Sequence, residues 1–153
     1  MTDFYSAPRH RFAAPSLRVA ASAGIDDARA TVILAYRSDA STSVLDEAIA
    51  GARRENAAVR AVHYESDTTT APSVGALSQT RELADRLAEA DLEFEIQRAD
   101  SDVASQILDL AEARQAKLIV MSSKRRSPVV KLLLGSSTQR VILEAECPVL
   151  IVK

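Results

Sequence analysis

The last third of the chain reads Met121-Ser122-Ser123-Lys124-Arg125, then a basic and apolar run, then Leu134-Gly135-Ser136-Ser137, and closes on Cys147-Pro148-Val149-Leu150-Ile151-Val152-Lys153. The run Leu118-Ile119-Val120-Met121 is uninterrupted and apolar, as a strand covered on both faces requires. Behind Gly135, the residues Thr138, Val141, Ile142 and Ala145 recur at helical spacing, and Ser136 with Gln139 reads as a capping box. Pro148 stops that helix, and residues 149–152 form a second apolar strand. Strand, loop, helix and strand in that order make one parallel crossover unit.

The same alternation extends upstream. Thr31-Val32-Ile33-Leu34-Ala35-Tyr36 is a buried strand. Leu45, Ala48, Ile49 and Ala52 follow at helical spacing, with Ser43 and Asp46 offering a capping box. Val59-Arg60-Ala61-Val62-His63-Tyr64 is the next strand, and a polar loop over residues 66–72 leads into a helix marked by Val74, Leu77, Ala84 and Leu87. Leu92, Phe94 and Ile96 alternate with charged residues, which predicts a half-exposed strand at a sheet edge. Val103, Ile107, Leu110 and Ala111 mark a third helix that Ser101 is placed to cap. Five strands alternating with four helices specify an α/β fold, a single doubly wound five-stranded parallel sheet with helices on both faces. Right-handed crossovers restrict the strand order without fixing it.

Residues 1–28 differ in character and are read as an N-terminal arm ahead of an α/β domain over residues 29–153. Pro8, Pro15 and many Ala and Ser residues interrupt any core pattern there. Residues 16–21 alternate apolar and polar, as a short edge strand does, with Leu17, Val19 and Ala21 on one side. Phe4, Tyr5 and Phe12 predict that the arm packs on its own domain or crosses to a partner subunit, because a buried aromatic contributes about 2 kcal/mol.

A chain of 153 residues is long enough to bury one core without covalent staples. The net charge of −2 gives no basic face for nucleic acid. No apolar run reaches the roughly 18 residues that span a bilayer, and Met1-Thr2-Asp3-Phe4-Tyr5 lacks the start of a secretory signal. Cys147 is the single cysteine, which suits a reducing cytoplasm. With only His10 and His63 in the chain, no metal-ligand spacing and no Ser-His-Asp arrangement can be read, so neither a metal site nor an enzyme is expected. Lys124, Arg125, Arg126 and Lys131 form the one basic cluster and read as solvated surface.

Residues 122–136 follow the register G-x2-G-x9-G-[ST], with Ser122 and Arg125 at the first two glycine positions and Gly135-Ser136 at the last. In this the chain resembles the universal stress protein family, as it does in Cys147-Pro148-Val149-Leu150, in His63-Tyr64 closing the second strand, and in Arg98-Ala99-Asp100-Ser101 near the family's Gly-Asp-Pro turn. The resemblance covers about residues 30–153 and implies the strand order 3-2-1-4-5. It places a ligand crevice between the first and fourth strands, where the order reverses. The pocket it implies is formed by Arg37, Ser38, Tyr64, Met121, Ser122, Arg125, Gly135, Ser136 and Ser137.

ATP is the family's best-known ligand, and here three positions oppose it. Arg37 stands where relatives carry an Asp that contacts the nucleoside, so an acceptor has become an obligate donor. Arg125 replaces a glycine; if that position needs positive φ the cost is about 1–2 kcal/mol, and a long side chain enters phosphate space. Tyr64 replaces a small aliphatic residue at the adenine wall and is read as filling it. The expectation is a non-catalytic protein without a cofactor, acting through unknown protein partners. The alternative is a module with weak affinity for a nucleotide or another anion in the same crevice. The resemblance further implies a homodimer through the last strand, with Pro148, Val149, Leu150, Ile151 and Val152 in the interface.

Overall fold

The computed structural model describes residues 17–65, 74–123 and 134–153. They form one sheet of six strands: β1 (Arg18–Ala21), β2 (Thr31–Arg37), β3 (Ala58–Tyr64), β4 (Phe94–Arg98), β5 (Leu118–Ser122) and β6 (Val149–Val152). The spatial order is β1-β4-β3-β2-β5-β6, in which β2 to β6 run parallel and β1 runs antiparallel to β4. Strands β2 to β6 thus take the expected 3-2-1-4-5 order, and the end of the arm adds a sixth strand outside it.

Four helices cover the sheet: α1 (Thr42–Glu55), α2 (Val74–Glu89), α3 (Val103–Ala113) and α4 (Ser136–Glu144). Because side chains alternate along a strand, each buried strand feeds two cores. Val32, Leu34, Val59, Ala61, Ile96 and Val120 pack against Val44, Leu45, Ala48 and Ala52 of α1 and Leu83 and Leu87 of α2. Ile33, Ala35, Val62, Ile119 and Met121 pack against Val103, Ala104 and Ile107 of α3 and Val141 of α4. Leu77 and Ile142, both expected on core faces, are instead 56% and 41% exposed.

Helix starts differ from the sequence reading by one or two residues. Ser41, not Ser43, is the N-cap of α1. Asp102 rather than Ser101 caps α3, accepting a hydrogen bond from the Ser105 N–H at 3.0 Å. Gly135 is the N-cap of α4, so Ser136 opens the helix, and Gln139 reaches back to donate to the Leu134 carbonyl at 3.1 Å.

The larger correction concerns β4. Its polar residues predicted exposure at an edge, yet Glu95 and Gln97 are 4% and 7% exposed, and β1 lies outside them. The reason is an ionic network. Arg60 on β3, wholly buried, donates to Glu95 Oε1 at 2.6 Å, to the Thr31 hydroxyl at 3.3 Å and to the Ile25 carbonyl at 3.1 Å. Arg18 on β1 donates to the other Glu95 oxygen at 2.7 Å. Burial pushes the Glu95 carboxyl up, but the hydrogen bonds from Arg18 and Arg60 outweigh it and hold the group below its ordinary value. Burial likewise pulls the Arg60 guanidinium below its usual value, against the opposing pull of Glu95. Along β1 the burial alternates in the opposite phase to the one expected, with Arg18 and Ala20 half-buried and Val19 and Ala21 exposed, and a register shift sets Arg18 opposite Gln97 and Ala20 opposite Ile96.

Candidate functional site

In an open parallel sheet, the crevice for a ligand lies beyond the carboxyl ends of the strands where the order reverses. Here that point is between β2 and β5, which pair from Val32↔Leu118 to Ala35↔Met121. Their crossovers leave in opposite directions, to α1 on one face and toward α4 on the other. The loop after β2 and the N-terminus of α4, at Gly135-Ser136-Ser137, therefore belong to the same end of the sheet. A helix N-terminus favours negative charge through its dipole.

Strand alternation divides the expected residues between the two faces. Tyr64 and Met121 lie in the core shared with α3 and α4, where Tyr64 is 2% exposed. Arg37 ends β2 on that same side by alternation from Ile33 and Ala35. Its guanidinium folds back on its own loop: Nη2 donates to Asp39 at 3.1 Å, and Nε lies 3.1 Å from the other carboxylate oxygen without the alignment of a hydrogen bond. Ser122 alternates with Leu118 and Val120 toward α1. It is 6% exposed, and its hydroxyl has no hydrogen-bond partner among the described residues. Gly135 and Ser137 are buried and Ser136 is exposed. Arg125, with Lys124, Arg126 and Lys131, lies outside the described residues, as does the loop over residues 66–72.

The geometry also brings together a constellation that spacing did not show. Ser38 Oγ sits 3.1 Å from His63 Nε2, and His63 Nδ1 sits 2.9 Å from the Thr80 hydroxyl on α2. Gln79 donates to the Ser38 carbonyl at 3.2 Å, and the Ser38 N–H donates to the Tyr64 carbonyl at 2.9 Å. The Tyr36 ring stands 5.7 Å from the imidazole at a tilt of 49°. The sequence reading gave His63 no hydroxyl partner, and this is corrected: Ser38 is one. The signal was available in principle, since Tyr36 and His63 are register partners and Ser38 lies two residues past Tyr36.

Burial holds the imidazole below its ordinary value, against weaker opposing effects of Gln79 and Glu65. At neutral pH the ring is then uncharged, with one nitrogen donating and the other accepting. A neutral imidazole beside a hydroxyl is a geometry suited to proton transfer. However, the Ser38 and Ala40 N–H groups are both spent on backbone carbonyls, at 2.9 and 3.0 Å, so neither can stabilise an oxyanion there. The chain Ser38–His63–Thr80 is best described as a clamp that ties the loop after β2 to α2. Among the described residues no group of three or more His, Cys, Asp or Glu side chains is arranged to hold a metal ion. No described helix is long and apolar enough to cross a membrane.

The chain matches the model of the universal stress protein family over residues 29–153. It is similar to a universal stress protein of Methanocaldococcus jannaschii, 46% identical over 50 residues that make up 33% of this chain and 29% of that protein. It is also similar to a universal stress protein of Mycolicibacterium smegmatis, 41% identical over 68 residues, 44% of this chain and 52% of the relative. The chain thus spans about half or less of the length of these curated relatives. Among solved structures, the universal stress protein from Archaeoglobus fulgidus superposes with a TM-score of 0.64 at 26% identity, covering 81% of this chain and 98% of its own. A universal stress protein solved in complex with cAMP gives a TM-score of 0.60 at 25% identity, covering 82% and 97%. With the match running from the start of β2 to the last residue, on a sheet of the same design, the chain belongs to the universal stress protein family.

Proposed function

We propose that this protein is a non-catalytic stress-response protein of the cytoplasm that works as a homodimer through protein contacts and does not bind ATP. The observation that carries this reading is the state of the crevice wall. Arg37 occupies the position from which the resemblance expects a carboxylate toward the nucleoside, and it is held by Asp39 with its side chain only 15% exposed. Tyr64 is core rather than an open stacking platform. Calorimetry with Mg-ATP is the test. The expected affinity is no tighter than high micromolar, roughly 5–6 kcal/mol of binding free energy. A low-micromolar dissociation constant overturns the reading.

The partner contact is assigned to β6. Its outer edge pairs with no described strand, and Pro148 and Leu150 are exposed there, Leu150 by 37%. An apolar, unpaired edge invites pairing with its own copy about a two-fold axis.

A second reading has one observation of its own. The buried Ser122 hydroxyl without a described partner lies at the crevice end of β5, and a hydrogen bond to a ligand would satisfy it. A structural relative was solved with cAMP. Under this reading the crevice takes a small anionic ligand such as a cyclic or linear nucleoside monophosphate. Titration with cAMP separates the two: saturable binding that Ser122→Val weakens favours the module, and no heat with either nucleotide favours the first reading.

A further inference from the structure

Among the described residues, a groove of about 640 Å³ lies between the β1–β4 edge of the sheet and α3. It opens on the α3 and α4 face, at a place where no described helix covers the outermost strands. Its lining combines apolar surface from Leu17, Leu110 and Ala113 with the carboxylates of Asp100 and Asp109. Glu95 at its floor is neutralised by Arg18 and Arg60, and Asp102 at its end is paired with Arg140 at 3.0 Å. The Asp100 and Asp109 carboxylates are in no ion pair among the described residues, and one further cation, Arg114, lines the groove beside them. A surface of this kind, apolar along its length with acids in excess over cations, suits a short segment carrying aromatic and basic side chains.

The chain itself supplies one. The described part begins at Leu17, which lines this groove, and sixteen residues precede it. They include Phe12 and the run Arg9-His10-Arg11, against a single acid, Asp3. Reach is sufficient. Helix α3 is about 17 Å long at 1.5 Å per residue, and the five residues from Leu17 back to Phe12 span up to about 17 Å when extended. The span from Leu17 to Phe12 is thus comparable to the length of the α3 wall.

We propose that residues 1–16 of this chain occupy the groove between β4 and α3, with Phe12 against Leu110 and Ala113 and the basic run facing Asp100 and Asp109. The proposal does not depend on whether the crevice binds a nucleotide. It makes the arm a built-in occupant of a surface suited to basic, aromatic peptide segments.

The chain contains no tryptophan, so Phe12→Trp introduces a unique reporter. In the full-length protein its emission is expected to be blue-shifted and severalfold less quenched by acrylamide than that of a free indole. Adding Asp109→Arg with Ala113→Arg, both at exposed positions of α3, should return it to the free value while far-ultraviolet circular dichroism stays unchanged. Should the indole itself disturb docking, amide exchange on the natural sequence reads the same contact: residues 9–16 protected, and unprotected in the groove variant. An exposed indole together with unprotected amides overturns the proposal. So does protection that survives the groove variant, which places the arm elsewhere, or protection lost on dilution, which places it on a second copy.

Discussion

The β1 edge of the sheet is closed by an antiparallel strand that inserts Arg18 into a buried carboxylate, whereas the β6 edge ends in four apolar residues, Val149 to Val152, with no charged side chain among them. Both edges face the same hazard, a row of unpaired backbone groups that recruits other chains. At β1 the register is specified by charge: Glu95 accepts from two arginines on different strands, and a slipped strand would leave that network incomplete. Among the described residues no ion pair limits pairing at β6. One edge is held by charge within the chain, and the other pairs with no described strand.

Removing the charge at the finished edge should have the largest effect. Glu95→Gln leaves Arg60 wholly buried without its counter-ion, and breaking such a pair costs about 3–5 kcal/mol. Urea unfolding should show that loss, with β1 amides losing protection first. A loss under 1 kcal/mol would mean the contrast between the edges is not electrostatic.

At the open edge, Leu150→Lys should leave the protomer folded and weaken the proposed dimer about ten- to a hundredfold, or roughly 1.4–2.8 kcal/mol. Sedimentation across micromolar concentrations reads this directly. If the natural protein is already a monomer over that range, the β6 interface is wrong.

The smallest effect is one of pH. Because the folded Glu95 carboxyl titrates below its ordinary value, its contribution to stability is complete at neutral pH. It is lost as the pH falls below the unfolded value, about 4.3, and through the lower folded one. Buried His63 acts in the same direction at milder acidity. Its folded pKa is lowered, so stability declines as the pH drops below the unfolded imidazole value of about 6.5. Thermal melts of Glu95→Gln should lack the first decline and keep the second. Identical acid profiles for the two proteins would remove Glu95 from the explanation.

Strands β2, β5 and β6 were legible because each carries an uninterrupted apolar run, and β4 was legible as a strand from its alternation, although its exposure was misread. The sixth was half legible: the alternation of residues 16–21 marked a strand, but its phase is the reverse of the expected one, because Arg18 turns in to reach Glu95. The misreading of β4 has a physical origin. Periodicity reports polarity, and polarity predicts exposure only when the polar group has no partner inside. The partners of Glu95 lie 35 and 77 residues away, beyond the reach of any local pattern. The same applies at the crevice. Arg37 and Tyr64 were named from the family resemblance, while Ser38 and His63, 25 residues apart, needed adjacent strands before their contact could be seen. Ser101 lost the capping role to Asp102 by a single position, a choice that local propensity does not resolve.

The 77-residue separation of Arg18 from Glu95 has a consequence in time. On the ribosome, at about 5–20 residues per second, the interval between the two is roughly 4–15 s. Strands β2 and β3 can pair long before β4 exists, but Arg60 then has no carboxylate, and β1, made first, has no neighbour. The first-made of these six strands must wait for a residue synthesised 77 positions later. Until then its backbone remains exposed to whatever else in the cell can bind a short, unpaired strand.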